Sequence, residues 1–294
     1  MDKDLIIGMG EVLWDVLPEG KKLGGAPCNF AYHVSQFGLN SLAVSAIGED
    51  SLGKEILEKL DEKGVRYLID VVPYPTGTVH VELDADGIPQ YEIRENVAWD
   101  NIPYTTPLET LAQSTKAVCF GSLAQRNSVS RSTINRFIDA VPLGNDPLIM
   151  FDINLRQNFY TKEIICNSLE RCNILKINDE ELEIISQLFD FSNLDPQEQC
   201  RTLLHKYNLK MLILTCGING SYVFTPDTVS FLPTPSVKIA DTVGAGDSFT
   251  AAFIASILKG ESVAGAHRRA VEVSAFVCTQ NGAMPKLPKS LTEV

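Results

Sequence analysis

Residues 241–253 read DTVGAGDSFTAAF, a glycine-rich turn that carries an aspartate and runs directly into a small-residue, apolar stretch. Gly244, Ala245 and Gly246 leave backbone N–H groups uncovered, and the run from Ser248 to Leu258 has helical length and composition. Free amides at a helix N-terminus, backed by the positive end of the helix dipole, suit an anion such as phosphate. Asp247 falls in the first helical turn. A carboxylate there starts a helix well and can take a proton from a hydroxyl attacking a bound phosphate. The chemistry these residues could do together is phosphoryl transfer to an alcohol. The same residues would also serve as an ordinary N-cap loop.

Further polar constellations suit the same chemistry. GEVLWD followed by GGAPCNF offers Asp15, which can accept two hydroxyl hydrogen bonds, Gly24 and Gly25, which let a ligand touch backbone, and Asn29, both donor and acceptor. That mixture fits a polyol; a loop with Asn29 capping a helix is the alternative. In DINLR, period two would set Asp152, Asn154 and Arg156 on one side if the strand continues, and Arg156 could steady a sugar oxygen or a phosphate. KINDEE presents Asn178 and Glu181 on one helical face, which is equally a capping box. LTCGINGSYVF places Thr215, Gly217 and Gly220 after a strand, where a hairpin is the plainer reading. In YEIRENVAWD, Arg94, Glu95, Asn96, Trp99 and Asp100 form a polar and aromatic cluster. Trp99 either stacks on a sugar or packs a hinge.

Other chemistries fit poorly. GxxxxGK[ST] does not occur, and Gly8 and Gly10 are followed by Leu13 where a dinucleotide fingerprint needs a third glycine. His33, His80, His205 and His267 lack triad partners in the sequence. The seven cysteines are scattered without a CxxC pair, as reduced thiols of a cytoplasmic protein would be; Cys166 and Cys172 are a metal pair by composition alone. With 25 Lys and Arg against 37 Asp and Glu, the net charge of −12 argues against nucleic acid as a partner. The same charge would repel a free polyphosphate at long range, so that such an anion would arrive with a divalent cation. No apolar run approaches membrane-spanning length, and the N-terminus is too quickly charged for a signal peptide.

These residues need elements to position them. Buried strands are predicted at Leu5–Met9, Leu42–Ile47, Ala117–Phe120, Leu148–Asp152, Ile174–Ile177 and Met211–Cys216, with helices over 26–37, 51–62, 128–140, 178–188, 196–207, 246–259 and 262–279. The alternation indicates an α/β fold with a mostly parallel sheet covered on both faces, with ligands at the carboxyl ends of its strands. Glu11–Val16, Thr78–Leu83 and Gln90–Glu95, the last two flanking the turn Asp84, Ala85, Asp86, Gly87, break the alternation and predict a small second sheet over the site.

The order DTxGAGD resembles the signature of the ribokinase-like (PfkB) carbohydrate kinases. The resemblance implies Asp247 as catalytic base, with the amides of Gly244, Ala245, Gly246 and Asp247 as the anion hole. It implies a sugar site at Gly24, Gly25 and Asn29, joined here by Asp15, Arg94 and Arg156. NxxE, at Asn178 and Glu181, resembles a water-mediated magnesium and phosphate site; TxGxxG, at Thr215, Gly217 and Gly220, resembles the loop over the nucleotide phosphates. Asn281, Gly282 and Ala283 resemble the segment edging adenine, and Asp241 sits where a monovalent cation such as K+ is common. ATP and Mg2+ follow as cofactors. The chain then reads as one ribokinase-like catalytic domain, 1–294, with a β lid from about 11–23 and 76–104 whose exposed edges a homodimer could cover. GEVLWD, GGAPCN and ENVAWD resemble bacterial fructokinases, implying fructose. Ribose, 2-keto-3-deoxygluconate and nucleosides such as adenosine are the alternatives, as is a catalytically silent sugar-binding regulator.

Overall fold

A computed structural model of the chain describes residues 4–17, 20–83 and 89–293. Its strands are β1 (Leu5–Met9), β2 (Leu13–Leu17), β3 (Gly20–Gly24), β4 (Ser41–Gly48), β5 (Tyr67–Val72), β6 (Gly77–Leu83), β7 (Pro89–Ile93), β8 (Thr115–Phe120), β9 (Leu148–Asp152), β10 (Ile174–Asn178), β11 (Met211–Thr215), β12 (Ser221–Phe224) and β13 (Val229–Leu232). The helices are α1 (Ala26–Gln36), α2 (Ser51–Lys63), α3 (Thr106–Ala112), α4 (Ser128–Ala140), α5 (Lys162–Arg171), α6 (Asp179–Leu188), α7 (Pro196–Lys206), α8 (Ala245–Leu258), α9 (Val263–Cys278) and α10 (Lys289–Thr292).

Nine strands form one sheet in the order β13-β12-β11-β10-β9-β8-β1-β4-β5, parallel except for β12 and β13. Its central strands are buried on both faces, which is why LIIGM, LIMFD and MLILT read as apolar runs rather than alternations. Successive side chains nevertheless serve opposite layers. Leu5, Ile7 and Met9 join the core under α4 and α5, whereas Ile6 packs with Phe30 of α1, Phe253 of α8 and Val273 of α9. From β1 the chain winds outward through β4 and β5, then returns to the other side of β1 and continues through β8 to β11. The reversal leaves a crevice between the carboxyl ends of β1 and β8, where a doubly wound sheet binds its ligand.

A separate four-stranded sheet runs β3-β2-β6-β7, two antiparallel hairpins joined by a parallel pairing of β2 with β6. The predicted second sheet is therefore present, with one strand more than expected. GKKLG, with two lysines, pairs with β2, and β2 itself starts at Leu13, so Glu11 and Val12 stand in the turn between the sheets. The predicted turn at Asp84, Ala85, Asp86 and Gly87 lies outside the described residues. DINLR does not continue as a strand either: β9 stops at Asp152 and Asn154 takes the left-handed conformation at φ 42°.

Candidate active site

The N-terminus of α8 points into the crevice. Its N-cap, Gly244, sits at φ 78°, and a Cβ there would come within 2.7 Å of the Cα of Ala283, so only glycine fits. Ala283 is itself anchored, its carbonyl accepting a hydrogen bond from His33 Nε2 at 2.8 Å. That bond fixes the imidazole tautomer, and burial pushes His33 down to about 4, so the ring stays neutral. A Cβ on Gly246 would lie 3.0 Å from Lys176 Nζ. The Ala245 N–H turns back to the Thr242 carbonyl at 3.2 Å.

Asp247, in the first turn of α8, accepts a 2.7 Å hydrogen bond on Oδ2 from Nδ2 of Asn29 in the first turn of α1. The two residues are 218 positions apart in the chain. Burial pushes the Asp247 carboxyl up to about 6; the bond from Asn29 and the positive charges of Lys176 and Arg156 pull it down, while Asp152 opposes them. Beside it lies a water-sized cavity of about 10 Å³ lined by Glu11, Cys119, Gly121, Asp152, Asn154 and Thr250 among others. Asp152 and Lys176 are register partners on β9 and β10, joined Oδ1 to Nζ at 3.0 Å, and Thr250 donates to Asp152 Oδ2 at 3.3 Å. Burial disfavours the Lys176 ammonium, but Asp152, Glu181 and Asp247 outweigh it and hold the group above its ordinary range.

The small sheet supplies Asp15. Oδ2 of this carboxylate occupies the space a Cβ on Gly24 would need, 2.4 Å away, which explains that glycine by packing. Burial raises Asp15 to about 6 against the pull of Arg156 and Lys22. Gly25, at φ 116°, is equally constrained: a Cβ would meet the Glu11 carbonyl at 2.3 Å. Arg156 thus faces Asp15, Glu11 and Asp247 electrostatically although its side chain is exposed. Arg94 is exposed beyond the end of β7, and no contact among the described residues brings its side chain to this cluster.

Glu181 completes a capping box. Asn178 Oδ1 accepts the Glu181 N–H at 2.7 Å, Glu181 Oε2 accepts the Asn178 N–H at 2.9 Å, and Oε1 accepts from Leu155 at 2.9 Å. Each carboxylate oxygen keeps a second lone pair, so the group can still hold a water. Asp241 is tied by the N–H groups of Val243 at 3.0 Å and Gly282 at 3.1 Å, and Lys22 Nζ of β3 stands 3.6 Å away. Partial burial pushes Asp241 up, but these donors outweigh it and hold the carboxyl below its usual range. Among the described residues no three or more His, Cys, Asp or Glu gather where they could hold a metal, and Cys166 Sγ lies 3.9 Å from the Tyr207 hydroxyl. Thr215 ends β11, and Gly217, at φ 51°, starts the turn of a β11–β12 hairpin. Gly220 is required by the Leu232 carbonyl, 2.5 Å from where its Cβ would be. Asn281 is exposed next to Gly282, whose amide holds Asp241.

Trp99 stacks on nothing at the site. It is 1% exposed in the core, and the Arg126 guanidinium lies 4.1 Å from its ring centroid and 4.5 Å from that of Phe159. Arg126 in turn pairs with Asp100 at 2.8 and 2.9 Å, so the larger cavity beside this hinge, about 220 Å³, has one of its cations committed internally.

Comparison with known proteins bears on the family and the fold. The profile of the pfkB family carbohydrate kinases matches residues 12–290. The chain belongs to that family. As a member it is an ATP-dependent sugar kinase. It is 28% identical to the ATP-dependent 6-phosphofructokinase of Thermoanaerobacterium thermosaccharolyticum over 300 residues, covering 96% of this chain and 90% of that one. It is 29% identical to fructokinase-2 of Solanum habrochaites over 315 residues, covering 97% and 93%. In fold it is similar to the fructokinase of Xylella fastidiosa solved with bound ATP, at a TM-score of 0.85 and 20% identity, covering 99% and 98% of the two chains. The fructokinase of Vibrio cholerae O395 bound to fructose, ADP and calcium gives 0.80 and 22%, covering 98% and 97%.

Proposed function

We propose that this kinase transfers the γ-phosphoryl group of ATP to the terminal hydroxyl of fructose, giving fructose 6-phosphate, with Asp247 as the base. The observation that carries the reading is the pairing of Asp247 with Asn29 at the N-terminus of α8, in the crevice where the sheet reverses. Asp15, Gly24, Gly25 and Asn29 hold the sugar with Arg156 near its rim, and the N-terminal turn of α8 receives the transferring group. Thr215, Gly217 and Gly220, with Asn178 and Asn281, border the nucleotide, and Glu181 touches Mg2+ through water. Asp241 is the candidate for a monovalent cation, in competition with Lys22. When bound, Mg2+ neutralises charge on the phosphates; positioning and charge stabilisation supply most of the acceleration in such transfers.

The small sheet acts as a lid on one catalytic domain, its edges β3 and β7 open to a second copy of the chain. Seven free thiols suit the cytoplasm. ADP release measured with MgATP against fructose, fructose 6-phosphate, ribose, 2-keto-3-deoxygluconate and adenosine tests the substrate. Fructose is expected to give the highest kcat/KM; a larger value for any other acceptor replaces it, and release with none of them argues for the silent regulator.

A further inference from the structure

Glu11 lies in the turn between the two sheets, where β1 has ended and β2 has not begun. It is 4% exposed. Its Oε1 accepts the N–H of Ala26, the first residue of α1, at 3.2 Å, while Oε2 is buried without a hydrogen-bond partner among the described residues. The backbones of this turn and of the start of α1 approach closely: a Cβ on Gly25 would strike the Glu11 carbonyl at 2.3 Å, and one on Gly8 would strike the Pro27 carbonyl at 2.0 Å. From Ala26 the first turn of α1 leads to Asn29, whose amide donates to Asp247. One carboxylate therefore fixes the start of the helix that delivers the hydrogen bond to the proposed base.

We propose that Glu11 is a positioning residue for Asp247, acting as the hydrogen-bond acceptor that holds the start of α1 rather than as a charge or a proton carrier. The inference rests on the reading of Asp247 given above. Its form follows from the surroundings. A buried carboxylate with one N–H donor, an unpartnered second oxygen and an acidic neighbour is costly to ionise. The groups that face it are Asp247 on α8, Arg156 on the loop after β9 and the thiols of Cys28 on α1 and Cys119 on β8, with Asp152 of β9 lining the same small cavity. Arg156 is exposed, and its charge is shared with Asp15 and Asp247. Burial first, then Asp247, lift Glu11 to about 7 against the hydrogen bonds of its own backbone N–H and that of Ala26.

The test compares wild type, Glu11→Gln and Glu11→Ala in steady-state phosphorylation of fructose by MgATP, with kcat measured from pH 5 to 8 and thermal unfolding recorded for each. A glutamine keeps the Oε1 acceptor and carries no charge. E11Q is expected to keep kcat within about threefold of wild type, with the acid limb of its profile unmoved. E11A should lose about tenfold or more in kcat while KM for MgATP stays within about twofold. A loss in E11Q comparable to that in E11A, or an acid limb displaced downward by a unit in E11Q, overturns the inference. E11Q alone decides the question if E11A fails to fold. A wild type that turns over none of the acceptors defeats the reading of Asp247 instead, so the two failures are distinct.

Discussion

As the proposed base, Asp247 is subject to opposing requirements: buried enough to be guided by Asn29 and α8, it must still ionise to accept a proton. At about 6, its folded value lies above the ordinary 3.8, so the folded state holds the proton more tightly between roughly pH 4 and 6. Stability from this group is therefore lost as pH rises through that window. Asp247→Asn is expected to raise the melting temperature at pH 7 to 8 by on the order of 2–4 °C, with the gain disappearing toward pH 4, as calorimetry across that range would show. A gain that persists at pH 4 would assign it to packing. The signature residues were legible because local turn chemistry dictates them: Gly244, Gly246 and Asp247 stand where a helix start and an anion site need those types. Glu11 and Lys176 were not. What matters about them is burial and the register of β10 against β9, which no local spacing encodes. The one available signal was a lysine inside ILKIN, a strand otherwise apolar enough to be covered on both faces.

At the scale of elements, the site depends on α8 beginning where it does. Gly244→Ala would place a methyl 2.7 Å from the Ala283 Cα on a residue already at φ 78°, so either the start of α8 or the 281–284 segment must move. Asp241 shares that displacement, because its Oδ2 accepts the Gly282 N–H. The variant is expected to lose about 100-fold or more in kcat/KM in a coupled ADP assay while retaining a cooperative unfolding transition; activity within a factor of three of wild type would show that the cap tolerates a side chain. The parallel strands and most of the helices were readable from periodicity, since long apolar runs alternating with amphipathic ones admit few other folds. β3, β5 and β13 were not, whereas the Gly217–Gly220 turn had already suggested the hairpin strand β12. GKKLG and YLIDVV carry charges within short segments, and β13 gains its meaning only by pairing on β12 at the sheet edge.

Over the whole molecule, apolar packing of Leu13, Trp14, Val79 and Ile93 against the main body and a set of polar contacts close the gap between the two sheets. Lys22 of the small sheet reaches Asp241 of the large body, and Trp14 Nε1 donates to the Leu52 carbonyl at 3.0 Å. A sugar held between Asp15 on one side and Asn29 and Asp247 on the other would add contacts across that gap. Fructose at about 100 times its Kd should stabilise the protein by about 2.7 kcal/mol, seen as a rise in melting temperature; an unchanged transition would mean that fructose does not bind the folded protein on its own. The lid was legible as a departure from helix–strand alternation, but its strand order was not, because a parallel pairing of β2 with β6 joins segments some 60 residues apart. The measurement that bears most directly on the account is the turnover of Asp247→Ala with fructose and MgATP beside wild type. We expect kcat to fall by on the order of 10² or more with KM for fructose changed little, because the carboxylate acts on the attacking hydroxyl rather than holding the sugar. Unaltered turnover in that variant would contradict the assignment of Asp247 as the base.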